Sequence, residues 1–231
     1  MSQKVLKIGH RGAMGHEPEN TLASVKKALE LGVHMIEVDV HRSKDGHMMV
    51  IHDETLKRTT NGRGYVAKKT LAQLTRLDAG NGERIPTLVD VLDCIDKKAM
   101  VNVELKGKRT IRPVLRIIDH FVQEKGWSYD QFILSTMTRS RLKKLVKAKP
   151  KVKIGALLGY RPNGFLKFAQ KCGAYSVHVR LRHFYPPLVK QAHALGLQVY
   201  VWTVNEKDSI ERVVKMGADG IFSDYPDRIP V

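Results

Sequence analysis

Eight short apolar runs, each followed or preceded by a segment of helical period, leave this chain few folds to adopt. The runs fall at 5–9, 36–41, 100–105, 132–135, 153–158, 176–179, 198–202 and 220–222. Between the first two, Leu22, Val25, Ala28 and Leu29 recur at helical spacing until Gly32. Further helical patterns occupy 88–95, 111–125, 139–148, 165–172, 187–195 and 207–216. Strict alternation of strand and helix demands a parallel sheet. Eight units in 231 residues fit a closed (β/α)8 TIM barrel better than an open doubly wound sheet. No Gly-x-Gly-x-x-Gly follows the first run to favour the open sheet. A chain of this length and 42% hydrophobic content buries one good core, so residues 1–231 read as a single TIM-barrel domain.

One stretch breaks the rhythm. After the second barrel strand comes a Ser-Lys-Asp-Gly turn and a short apolar partner at 49–51, then residues 54–84, rich in Gly, Thr and Asn. A brief helical pattern at 71–77 and an Asn61-Gly62 turn signal make 54–84 a small inserted subdomain.

The strand at 36–41 carries the first chemical signal. Side chains alternate across a strand, so Glu37, Asp39 and His41 share one face while Ile36, Val38 and Val40 share the other. The apolar face suits packing against helices. The other face holds two carboxylates roughly 7 Å apart at Cα, and buried charge needs a partner or a metal. Oxygen ligands favour a hard cation such as Mg2+ or Ca2+.

In a (β/α)8 barrel, active sites gather at the C-terminal ends of the strands. His10 and Arg11 end the first strand, inside a Gly9-His10-Arg11-Gly12 turn. Val101-Asn102-Val103-Glu104-Leu105-Lys106 places Asn102, Glu104 and Lys106 on one parity. Trp202 ends the seventh strand, and His52-Asp53 lies just beyond the second. Any one of these is an ordinary rim or packing residue. Their convergence on one barrel mouth is not.

His-Arg-Gly, Pro-Glu-Asn-Thr, Glu-x-Asp, His-Asp, Asn-x-Glu-x-Lys and Val-Trp-Thr-Val-Asn, in that order, resemble the glycerophosphodiester phosphodiesterase family in its bacterial cytoplasmic type. The resemblance covers essentially the whole chain. It implies metal-dependent hydrolysis of glycerophosphodiesters, such as glycerophosphocholine or glycerophosphoethanolamine, to an alcohol and sn-glycerol 3-phosphate. Carried over by position, Glu37, Asp39 and Glu104 match the metal ligands, for one divalent cation. His10 and His52 match the acid/base pair, Arg11 and Lys106 the phosphate-contacting cations, and Trp202 a substrate contact. Which histidine is acid and which is base stays open, as does the nucleophile, the substrate's own 2-hydroxyl or water. Leu134-Ser135-Thr136-Met137-Thr138 replaces the family's Ser-Ser-Phe, which argues against an aromatic contact there. His16 receives no role.

Charge bounds the partners. Forty Lys and Arg against 23 Asp and Glu give a net charge of +17, which favours anionic partners. A lysophospholipase D-like activity would need an apolar path for an acyl chain. The insertion, with Lys57, Arg58, Arg63, Lys68 and Lys69, is basic instead, which leaves only a weak attraction to an anionic membrane surface. A polyanion-binding protein would use the dense basic stretch from Arg139 to Lys153, but no aromatic platform or nucleic-acid module accompanies it, and no nucleic acid is expected. Cys94 and Cys172 lack metal-site spacing. Neither a signal-peptide core nor a membrane-length apolar run is present, so the expected setting is the cytoplasm.

Overall fold

The computed structural model describes residues 5–158 and 164–230. In chain order the elements are β1 (Leu6–Gly9), α1 (Leu22–Glu30), β2 (Met35–Arg42), β3 (Met48–Val50), α2 (Leu71–Leu74), α3 (Leu88–Ile95), β4 (Met100–Leu105), α4 (Ile111–Glu124), β5 (Phe132–Thr136), α5 (Arg139–Lys147), β6 (Lys153–Leu158), α6 (Phe165–Lys171), β7 (Ser176–Arg180), α7 (Pro186–Ala194), β8 (Gln198–Trp202), α8 (Lys207–Lys215) and β9 (Gly220–Ser223). Eight strands pair in parallel in the order β1-β9-β8-β7-β6-β5-β4-β2, and β1 pairs with β2 to close the ring. This is the (β/α)8 barrel that the alternation of runs implies. Strands β5 and β7 each run one residue beyond the apolar stretch read from sequence, to Thr136 and Arg180.

Period-two alternation divides the molecule into two apolar compartments. Outward residues of β2 and β4 (Ile36, Val38, Val40, Val101, Val103, Leu105) are fully buried beneath the helices. Helix α3 covers them with Leu88, Val91, Leu92 and Ile95, and α4 contributes Val114, Ile118 and Phe121. Each such side chain contributes roughly 1.5–3 kcal/mol on burial. Inward, Ile8, Met35, Ile133, Tyr200 and Phe222 plug the barrel floor. Above that plug the inward positions become polar: Glu37, Asp39, Asn102, Glu104, Ser135, Ser176 and His178, all buried.

Strand β3 runs antiparallel to β2, with Val40 opposite Val50 and Arg42 opposite Met48. The hairpin turns at Ser43–Gly46, where Gly46 adopts a φ of 101°. It returns the chain to the barrel mouth, where Ile51 N–H donates to the Asp39 carbonyl. The segment after it folds around an apolar cluster of its own, including Met49, Ile51, Leu56, Val66, Leu74 and Ile85. The turn expected at Asn61-Gly62 is instead a point of close approach. Asn61 exchanges hydrogen bonds with the Asp78 backbone, and a Cβ at Gly62 would lie 2.6 Å from Leu77 Cδ1.

Candidate active site

His10 and Arg11 follow directly on β1, and the turn they sit in is held from three sides. Arg11 takes a left-handed φ of 51° and Gly12 one of 82°. A Cβ on Gly12 would lie 2.4 Å from Ser24 Oγ, so α1 packs against this turn only because the position is glycine. Arg11 N–H donates to Glu37 Oε2 at 2.9 Å, and the Arg11 carbonyl accepts from Asn20 N–H and Ser24 Oγ. Thr21, with Ser24 in a reciprocal capping box, is the N-cap of α1. Asn20, just before it, is spent elsewhere. Its Nδ2 donates to Asp39 Oδ2 at 3.0 Å and its Oδ1 accepts from Asp39 N–H at 3.2 Å.

Strand register does the rest. Asp39 lies opposite Glu104 and Glu37 opposite Asn102. Carboxylate oxygens of Glu37, Asp39 and Glu104 come within 4.8 Å of one another, and all three residues are buried. Lys106, just past β4, places Nζ 3.1 Å from Glu104 and 3.5 Å from Asp39. Arg11 Nε lies 3.4 Å from Asp39 Oδ2 while its Nη1 is bonded to Glu19 at 2.8 Å.

Two cations among three buried acids leave the cluster short of positive charge, and the proton affinities show it. Burial, then the Asp39 and Glu104 charges, push Glu37 well above the ordinary carboxylate range. Burial and Asp39 push Glu104 up to about 7. Burial works the same way on Asp39, but Lys106 and Arg11, with smaller help from His52 and Asn20, outweigh it and hold Asp39 below its usual value. In this cation-poor site protons do the work that a metal ion would do. Asp39 Oδ1 also lacks a hydrogen-bond donor. Three hard oxygen donors at this spacing suit a divalent cation of the Mg2+ or Ca2+ type.

Each of the two imidazoles is gripped by a carboxylate. His10 Nδ1 lies 2.6 Å from Asp224 Oδ1, and Asp224 is fixed in turn by Asn205 Nδ2 at 2.7 Å. His52 Nδ1 lies 2.6 Å from Asp53 Oδ1. Arg58 holds Asp53 through Nε and Nη2, and also bonds both oxygens of Glu19. Arg58 pulls Asp53 far below the carboxylate norm. At Asp224, burial raises the proton affinity but the His10 hydrogen bond and charge bring it below normal. Both aspartates are thus ionised acceptors, so each histidine carries its proton on Nδ1 and presents Nε2 as the reactive nitrogen. Burial lowers the proton affinity of His52, against the pull of Asp39.

A cavity of about 330 Å3 opens over the cluster. It is lined by His10, Arg11, Glu37, His52, Asn102, Glu104, Lys106 and Trp202 among others, so seven of the eight site residues read from sequence face one space. The eighth, Asp39, lies directly beneath as the most buried member of the acidic cluster. Met137 and Leu157 supply apolar wall, and Met137 stands in the segment that lacks the family's aromatic residue. Sequence reasoning missed the residues that act through partners: Asp224, Asn205, Arg58 and Glu19, together with Arg180, whose guanidinium lies 4.8 Å from the centre of the Trp202 ring. Of these, Glu19 and Asn205 had a signal, their places in Pro-Glu-Asn-Thr and Val-Trp-Thr-Val-Asn. His16, left without a role, pairs with Asp227 at 2.7 Å and stands edge-on to Tyr225.

Comparison with protein-family models matches residues 10–228 to the glycerophosphoryl diester phosphodiesterase family. This chain belongs to that family. It is 39% identical to a glycerophosphodiester phosphodiesterase of Caldanaerobacter subterraneus, over 98% of this chain and 96% of the relative. A phosphodiesterase of Oleispira antarctica, solved in complex with the product sn-glycerol-3-phosphate, superposes with a TM-score of 0.87 at 30% identity, covering 96% of this chain and 94% of that one. A putative glycerophosphoryl diester phosphodiesterase of Silicibacter pomeroyi gives a TM-score of 0.88 at 26% identity over 99% and 92% of the two chains. The motif-based family assignment and the enzyme class, a glycerophosphodiester phosphodiesterase, therefore stand. No helix among the described residues is long and apolar enough to cross a membrane.

Proposed function

We propose that this enzyme hydrolyses glycerophosphodiesters of the glycerophosphocholine and glycerophosphoethanolamine kind to the free alcohol and sn-glycerol 3-phosphate, with one divalent cation, Mg2+ or Ca2+, held by Glu37, Asp39 and Glu104. The observation that carries this reading is the pairing, in one cavity, of a buried acidic triad with two aspartate-anchored histidines. A bound cation would supply positive charge against the non-bridging phosphate oxygens.

Everything else is done by the chain itself. Arg11 and Lys106, at the cavity wall, meet the negative charge that builds on phosphorus in the transition state, where fixed donors count for more than in water. One histidine Nε2 removes a proton from the attacking hydroxyl, either water or the substrate's 2-hydroxyl, the latter forming a cyclic phosphate that water then opens to sn-glycerol 3-phosphate. The other enters the step as an imidazolium, with a second proton on Nε2, and gives that proton to the departing alkoxide as the P–O bond breaks. The Asp224 and Asp53 anchors hold both rings through Nδ1 and leave Nε2 for these transfers. Trp202 forms one wall for the substrate. Apolar residues of the insertion gather in a cluster of their own and its Lys57, Arg58, Arg63, Lys68 and Lys69 are basic, which favours water-soluble diesters over lysophospholipids. Cys94 and Cys172 are free thiols, in keeping with a cytoplasmic setting.

The test is release of sn-glycerol 3-phosphate from glycerophosphocholine by the purified protein. Chelator should abolish it, and Mg2+ or Ca2+ should restore it. His10→Ala and His52→Ala should each cut kcat by about 10²–10⁴-fold. Undiminished turnover in His10→Ala would overturn the assigned roles.

A further inference from the structure

A second hollow adjoins the catalytic cavity on the same face of the barrel, and its charged lining is mostly cationic. Its two lobes measure about 590 and 620 Å3, against about 330 Å3 for the catalytic cavity. Lys106 lines both the catalytic cavity and the nearer lobe, so the spaces meet at a phosphate-contacting residue. The lobes share Arg42, Gly107, Lys108, Arg109 and Arg141 and form one trough. Lys44 and Lys68 enter from the hairpin turn and the insertion, and Lys144 from α5. One carboxylate, Glu54, lines it.

The two cation sets differ in how they are balanced. Arg11, Arg58 and Lys106 are each bound by acids. Among the described residues, none of Arg42, Lys44, Lys68, Lys108, Arg109 and Lys144 is ion-paired to a carboxylate. Lys108, Arg109 and Lys144 are also exposed. Like charges gathered from four separate elements repel one another in the free protein, and a bound anion relieves that repulsion. The trough floor adds the N-terminus of α4, which has no acid in its first turn and whose cap residue, Thr110, bonds the Gly107 carbonyl instead of the helix N–H groups. A planar lipid surface is met by protruding charges. These charges line a concavity that continues from the reacting phosphate.

We propose that the trough is a subsite for a further phosphate of the substrate, so that the preferred diesters are those whose leaving alcohol itself carries a phosphate. This rests on the phosphodiesterase reading and deepens it. Two substrates separate the ideas: the diester of glycerol 3-phosphate with glycerol, and the same diester with a phosphate on the leaving glycerol. The wild-type enzyme should favour the second by about tenfold or more in kcat/KM, chiefly through KM, with the advantage shrinking as salt rises. A Lys108→Gln/Arg109→Gln/Lys144→Gln variant should bring the two substrates within about twofold while turning over the diester without the added phosphate as before. Should that variant lose thermal stability, Lys108→Gln alone carries the comparison. Equal kcat/KM for the two substrates in the wild type at low salt, or a preference that survives the substitutions, would overturn the proposal. Co-sedimentation with phosphatidylglycerol vesicles that the variant loses, in an enzyme without substrate preference, would assign the trough to a membrane surface and likewise overturn it. Failure to cleave either substrate would count instead against the catalytic reading.

Discussion

His178 shows how much a single inward-facing residue costs and gains in this barrel. It is buried, its Nε2 lies 2.9 Å from Ser176 Oγ, and its ring stacks on Tyr200 with centroids 5.3 Å apart. Burial pushes its proton affinity down to about 3 from the ordinary 6.5. The folded state therefore keeps the ring neutral where the unfolded chain binds a proton. Stability is complete above pH 6.5 and is lost as pH falls toward 3, because the unfolded state gains the proton first. At pH 4 the loss from this one group is about 3 kcal/mol. Urea unfolding from pH 7 to pH 4 should show a shallower acid decline in His178→Phe than in the wild type, with the two curves converging on the neutral side in slope. Parallel curves would mean that the proton is taken up elsewhere. Sequence did not reveal this residue. Val177-His178-Val179 reads as strand, and nothing local says that its inward neighbours are aromatic rings contributed by β8 and β9.

Between elements, what one strand omits makes room for what the next one carries. Gly155 of β6 lies opposite Ser176 of β7, and a Cβ there would sit 2.7 Å from His178 Cε1 and 3.1 Å from Ser135 Cβ. Gly155→Ala should cost about 1–3 kcal/mol by overpacking, read as a drop in the urea midpoint. With His178→Ala the closest clash, the one with the ring, vanishes and only the 3.1 Å approach to Ser135 remains. The double variant should be more stable than the sum of the two losses by about 1 kcal/mol or more, and additive losses would show that the ring is not what the methyl meets. The same scale explains what was legible. Alternation within a strand placed Glu37 and Asp39 on one face, and alternation of strands with helices gave the barrel, because both depend only on neighbours in sequence. The anchor of His52 is its sequence neighbour Asp53, but that of His10 depends on closure: His10 and Asp224 are 214 residues apart, and Arg58, which holds Asp53, reaches Glu19 across 39. No local pattern in the chain announces such pairs. Asn20 is the intermediate case, a residue with ordinary N-cap chemistry that the turn after β1 redirects onto Asp39.

For the whole molecule, closing the ring concentrates negative charge at one point of a chain whose net charge is +17. The three acids come from β2 and β4, and burial makes all of them expensive to ionise together. Without a cation the folded protein holds protons that the unfolded chain releases: Glu37 stands well above the ordinary range and Glu104 near 7. A raised carboxylate means that the folded state binds more protons, so this part of the stability is present below about pH 4.5 and is lost as pH rises through 7. A divalent cation held by the three carboxylates would take the place of those protons. It should therefore stabilise the chelator-stripped protein more at pH 8 than at pH 5.5, where it competes with them. At a hundredfold excess over its dissociation constant the gain is about 2.7 kcal/mol, or roughly 5–10 °C in Tm for a chain of this size. Thermal unfolding with and without Mg2+ or Ca2+ at the two pH values measures it, and Glu104→Gln should remove most of the cation response. An equal gain at both pH values, or one that Glu104→Gln leaves intact, would place the cation away from the strand pair β2 and β4.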